Sequence, residues 1–272
     1  MQTDYRYIDE NRQHLHTLRG QPLVGASTAK SIIGSKDNLM QWYADMAAVA
    51  GLALPAQDIK AEYEAVVAIR DKKARAEAKQ VLDKKYPDFK AARTAAIKSR
   101  DKSAKTGTAR HSTLEEYVKT CLAENKGIPL AHSTDETADV STFVDWSLEN
   151  VATFYFAEAN CYSESLWCGG IADLGMKLKN GKRLVGDHKN AKEAYNDMFL
   201  QTAIYDVLLN TSGILDRDGY VLGEWEPADG YVIFPFRSEP FTPEFKWNAG
   251  AWREAAKQTI NLYRLLELEI AD

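Results

Sequence analysis

An α/β protein with a basic, helical elaboration is what this 272-residue sequence predicts. The first half reads as charged helices. After about residue 150, aromatic and β-branched runs punctuated by turn signals take over, in the order strand–strand–strand–helix–strand–strand–helix. The composition, 45% hydrophobic and 27% charged, is that of a chain able to bury a sizeable core.

The first segment, HLHTLRGQPLVGASTAKSII, predicts a short hairpin around Gly20 and a capped turn starting near Ser27. SKDNLMQWYADMAAVAG carries apolar residues at Leu39, Trp42, Met46 and Val49 and ends on Gly51, the signature of an amphipathic helix. Beyond Pro55, residues 57–85 predict a charged helix, and Pro87 suits the first turn of another that runs to about Asn125. HSTDETADVS is a polar loop. DWSLENVATFYFAEANCYSESLWCGGIADLGMKL predicts a short helix leading into strands, KNGK a tight turn, and RLVGD the returning strand. AKEAYNDMFLQTAIYDVLLN is helical, two strands flank Ala228-Asp229-Gly230, and a closing helix spans Ala249 to Glu269.

Charge is unevenly placed. Between Arg70 and Arg110, fourteen Lys and Arg face five Asp and Glu, a local balance of +9 within a chain of net −5. Such asymmetry points to a polyanionic partner better than the total does. No apolar run is long enough to span a bilayer, and the opening MQTDYRYIDENR is too polar for a signal peptide. Three scattered cysteines, Cys121, Cys161 and Cys168, lack a CxxC pair, which argues for a reducing compartment and against a disulfide framework or structural zinc.

The chemistry concentrates in GGIADLGMKLKNGKRLVGDHKNAKEAY, Gly169 to Tyr195. Asp-x-Lys occurs five times, at Asp58, Asp71, Asp83, Asp88 and Asp187, and four of these lie in the charged helical half, where surface charge explains them. Only Asp187-His188-Lys189 ends a strand paired through a turn to another strand bearing an aspartate. If the hairpin turns near Asn180-Gly181, Asp173 and Asp187 come together at its open end, and Asp187 and Lys189 project from one face. Crowded carboxylates repel, a repulsion that a hard cation such as Mg²⁺ or Mn²⁺ relieves. On the helix KSAKTGTARHSTLEEYVKTCL, the spacing places His111 on the face of Ala104, Thr108, Leu114, Val118 and Cys121. On the later helix Gln201 and Tyr205 share the face of Met198 and Leu208.

In chain order these residues give G-x-x-x-H (Gly107 to His111), G-x-x-D (Gly170 to Asp173), D-x-K (Asp187 to Lys189) and Q-x-x-x-Y (Gln201 to Tyr205). The series resembles the RecB-like, phage-type exonuclease branch of the PD-(D/E)XK nuclease superfamily. The resemblance implies a restriction-endonuclease-like core, a mixed central sheet flanked by helices. It implies a single nuclease domain over residues 1–272 with a basic helical insertion at about 57–106. By the same resemblance His111, Asp173, Asp187 and the His188 carbonyl would hold Mg²⁺ or Mn²⁺. Asp173, Asp187 and Lys189 would be catalytic, and Gln201 and Tyr205 would contact the substrate strand. Glu158, at the end of TFYFAE, falls where relatives often carry an acid. The chain departs from the pattern at Asn190, usually Thr or Ser; at His188, usually apolar or aromatic; and at Gly186, usually bulky. Some relatives carry an iron–sulfur cluster on four cysteines, which three cannot supply.

The implied function is metal-dependent hydrolysis of DNA, exonucleolytic by resemblance, in recombination or processing of phage or prophage DNA. The alternatives are a structure-selective endonuclease of the same fold, or a non-catalytic DNA-binding or inhibitor protein that keeps it. DNA is the expected partner; a phage setting would add a single-strand annealing protein and the cytoplasm of a bacterial or infected host, with no membrane association. A homo-oligomer is compatible with this reading.

Overall fold

The computed structural model describes residues 1–10, 13–31, 56–69, 71–131, 138–238 and 241–266. They fall into two compact units, Met1–Gly34 with Gly107–Asp272, and Ser35–Thr106. The helix predicted over SKDNLMQWYADMAAVAG lies outside the described residues.

The larger unit begins with strands: the hairpin expected around Gly20 is present, and a further strand not expected from the sequence precedes it. β1 (Tyr5–Glu10) and β2 (Gln13–Leu18) pair antiparallel, and β3 (Gln21–Pro22) returns through a turn at Arg19-Gly20. The cause lies in alternation: Tyr5 is fully buried, and its hydroxyl bonds His16 Nδ1 at 2.6 Å and donates to Asn160 Oδ1 at 3.1 Å. β4 (Val24–Gly25) and a five-residue helix α1 (Ala26–Lys30) follow; the turn expected at Ser27 starts one residue earlier and has no side-chain cap.

The central sheet is mixed. β5 (Val151–Ser163), β6 (Cys168–Leu178) and β7 (Arg183–Lys189) form an antiparallel meander, and β10 (Gly230–Pro235) lies parallel to β7. β11 (Glu244–Lys246) extends one edge beyond β10; β8 (Ile214–Leu215) and β9 (Val221–Gly223) extend the other beyond β5; β4 pairs parallel with β6. Helices cover both faces. The C-terminal half of α4 (Pro87–Asn125) and α5 (Ala138–Asn150) bury Leu114, Val118, Cys121, Phe143 and Val144 against Leu174, Met176, Leu184 and Phe234. On the other face, α1, α6 (Asn196–Ser212) and α7 (Ala249–Arg264) pack on Ala172, Val185, Tyr231 and Ile233. The α/β expectation of a mixed sheet between helices therefore holds. α5 begins inside the predicted polar loop, because Val140, Phe143 and Val144 supply an apolar face. All three cysteines are buried free thiols.

α6 is buried along almost its whole length and carries a charge into the core. Asp206 is fully buried and accepts hydrogen bonds from Trp225 Nε1, Ala228 N, Tyr231 Oη and Arg253 Nη1 at 2.8–3.0 Å. It ties α6, the chain entering β10, and α7 together. Truncation strands four donors, so Asp206→Ala is expected to cost about 3 kcal/mol, read as a lower urea midpoint.

In the smaller unit the helix predicted over 57–85 is two: α2 (Ala56–Val67) and α3 (Lys72–Lys85). The break falls at Asp71, whose side chain accepts from Ala74 N at 2.7 Å and starts α3 afresh. Among its described residues Ile59, Tyr63, Leu82 and Phe89 are buried, and Glu62 pairs with Lys85 at 2.5 Å.

Candidate functional site

The turn at Asn180-Gly181, with Gly181 at φ +88, sets the β6–β7 register: Lys177 faces Arg183, Met176 faces Leu184, and Leu174 faces Gly186. The next pair would be Asp173 and Asp187, but the ladder stops there. The His188 amide instead donates to Asp173 Oδ2 at 3.3 Å, so a side chain takes the place of a backbone carbonyl. Asp173 thereby sits between two packing layers. Ala172 belongs to the layer of α6 and α7 and Leu174 to that of α4 and α5, although alternation would put them together. The neighbouring strand makes the same change of face at Glu158, which has φ +52 between Ala157 and Ala159.

Around this point the structure gathers most of the residues singled out from sequence. His111, on α4, places Nε2 2.7 Å from Asp173 Oδ2 and Nδ1 3.5 Å from Glu158 Oε1. Lys189 Nζ makes a charge contact with Asp187 Oδ2 at 2.6 Å. Asp187 is completely buried, and neither of its oxygens accepts a hydrogen bond of good geometry. Beyond His111 on the predicted helical face, Leu114, Val118 and Cys121 are buried; the Ala104 and Thr108 side chains lie outside the described residues.

Electrostatics follow from this crowding. Burial, then the Asp173 charge, push Asp187 well above the usual carboxylate range, against the pull of Lys189. Burial also opposes charge on Asp173, but hydrogen bonds with Asp187 and His111 and the Lys189 charge outweigh it and hold Asp173 below that range. The two carboxyls titrate as a coupled pair, with Asp187 the member pushed towards its protonated form. Burial would lower Lys189, but Asp187 and Asp173 raise it on balance. His111 is pushed up to about 9, chiefly by its hydrogen bond to Asp173, against burial. Burial lowers His188 to about 3 and leaves it neutral.

The His111 shift has a measurable consequence. A histidine raised on folding stabilises fully below its unfolded value, about 6.5. That stabilisation fades as pH climbs through about 9. In chelator, the melting temperature of the protein is expected to fall over this window, and His111→Gln should flatten that part of the profile.

Gln201 and Tyr205 form a wall rather than an open surface. Both are buried; Gln201 Nε2 donates to Tyr205 Oη at 2.7 Å and to Ser27 Oγ at 3.0 Å. The G-x-x-D glycine explains how the wall closes: a Cβ on Gly170 would lie 2.8 Å from the Tyr205 ring. Gly186 is likewise enclosed by Met176, Phe234 and Val232, each 3.2 Å from a Cβ there. Sequence reasoning missed Lys30, which donates to Gln201 Oε1 at 3.0 Å and lies 3.6 Å from Asp197 Oδ2. It also missed Glu115, whose carboxylate groups with His111 and Glu158. Glu115 stands one helical turn after His111, a spacing that could have marked it. Nothing in the sequence connects Lys30 to the hairpin.

Among the described residues no helix is long and apolar enough to cross a membrane. No known family model matches this chain, and no curated protein sequence matches it significantly.

Proposed function

We propose that this protein is a metal-dependent deoxyribonuclease that hydrolyses phosphodiester bonds, working from DNA ends, at the open end of the β6–β7 hairpin. The observation that carries the reading is a fully buried carboxyl, Asp187, crowded against Asp173 and in contact with a single cation, Lys189, on its own strand. Burying two crowded carboxyls beside one lysine is unfavourable unless a further cation shares them.

The donor set fits a hard divalent cation: two carboxylates, with the histidine of α4 beside one of them. Asp173, Asp187, His111 and the His188 carbonyl would hold Mg²⁺ or Mn²⁺. Such an ion would supply charge neutralisation at the scissile phosphate and a more acidic water. The protein's own groups do the rest. Asp187 would bind the ion as its carboxylate. Lys189, two residues along the same strand face, stabilises negative charge on a phosphate oxygen and orients the attacking water. His111 fixes Asp173. The wall of Gln201, Tyr205 and Lys30 borders the substrate strand, with Glu158 as an additional acid. The basic stretch from Arg70 to Arg110 would contact phosphates without reading bases, making affinity steeply salt-dependent.

Incubation with Mg²⁺ and equal amounts of linear and covalently closed circular duplex tests the reaction and its mode together. The linear molecule should be degraded and the circle spared. Loss of both would make it an endonuclease; survival of both, in Mn²⁺ as well, would remove the nuclease reading.

A further inference from the structure

The structure gives the His188 imidazole a distinctive place. It follows Asp187 by one residue and so faces the layer of α4 and α5. Its ring packs against Phe143, Phe234 and Phe236 at centroid distances of 5.1, 5.4 and 5.7 Å, and meets His111 edge-on at 5.6 Å. Only 9% of the residue is exposed, and Nε2 is buried with no hydrogen-bond partner. A phenyl ring would fill this slot without the cost of a stranded polar atom, about 1–3 kcal/mol. One nitrogen of the same ring also lies within 4.8 Å of donor atoms from both His111 and Asp173.

We propose that His111, Asp173 and the His188 ring form a nitrogen-rich position for a divalent transition-metal ion of the Co²⁺ or Zn²⁺ kind, sharing Asp173 with the Asp187 carboxylate. This deepens the reading of the same centre and rests on it in taking His111 and Asp173 as ligands. Two imidazoles and one carboxylate favour such ions over Mg²⁺, which prefers oxygen donors and keeps its waters.

Co²⁺ alone, added to the full chain, is the probe. In the wild type, saturating Co²⁺ should produce visible absorption and hyperfine-shifted ring-proton resonances from two of the five histidines. His188→Phe, which keeps the backbone and the aromatic packing, should bind Co²⁺ more weakly by at least the roughly ten- to hundred-fold that even an outer-shell partner is worth. Shifted resonances from fewer than two histidines, or unchanged Co²⁺ affinity in His188→Phe, would overturn the proposal. Should that variant fail to fold, the wild-type resonance count decides alone. DNA cleavage in Mg²⁺ is a separate reading: a protein that shows the two-histidine Co²⁺ signature yet cuts no DNA upholds this position and refutes the nuclease proposal.

Discussion

Asp187→Asn is expected to lower the rate of DNA cleavage by about 10³-fold or more, equivalent to ~4 kcal/mol of barrier, without unfolding the protein. The substitution keeps volume and shape and removes only the charge that the cation needs. Its effect on stability has the opposite sign from most core changes. Asp187 is raised by burial and by Asp173, so its ionised form is disfavoured on folding. A raised carboxylate contributes stability below its unfolded value, near 3.9, and loses it as pH climbs towards the folded value. The amide escapes that loss. In chelator near neutral pH the melting temperature of Asp187→Asn should therefore be no lower than that of the wild type, and Mn²⁺ should raise it far less. A variant that cleaves at the wild-type rate would remove Asp187 from the mechanism.

Lys189→Met should separate chemistry from metal binding. The ammonium is 2.6 Å from Asp187 Oδ2 and is held charged by Asp187 and Asp173. Methionine keeps much of the stem but removes the charge offered to the phosphate, a loss worth about 10²–10³-fold in kcat. Removing a cation from beside the carboxylates should leave Mn²⁺ affinity unchanged or tighter. The expected pattern is thus slow cleavage with an intact Mn²⁺-induced rise in melting temperature. Loss of both together would make Lys189 a structural partner of Asp187.

The hairpin was legible because its signals are local. Asn180-Gly181 fixes the turn, period-two alternation fixes the register, and arithmetic along two strands then brings Asp173 towards Asp187. The α6 and α7 helices were legible for the same reason. What escaped depends on distant chain. β1 is only six residues long and polar on one side, and its burial comes from Tyr5 meeting His16 and Asn160. The two- and three-residue strands β4, β8 and β11 exist only through the partners they pair with. Lys30 reaches Gln201 across 171 positions. The change of face at Glu158 and Asp173 is a backbone event, with a positive φ at a glutamate that no propensity would assign. It is also what lets Asp173 meet His111, the His188 amide and Asp187 at once.

The central claim is that Asp173 and Asp187 bind one cation between them. An anomalous difference map from crystals grown with Mn²⁺ tests this directly. The account predicts a peak at bonding distance from a carboxylate oxygen of each aspartate. A map with no peak there, or with one that touches only a single aspartate, would contradict it.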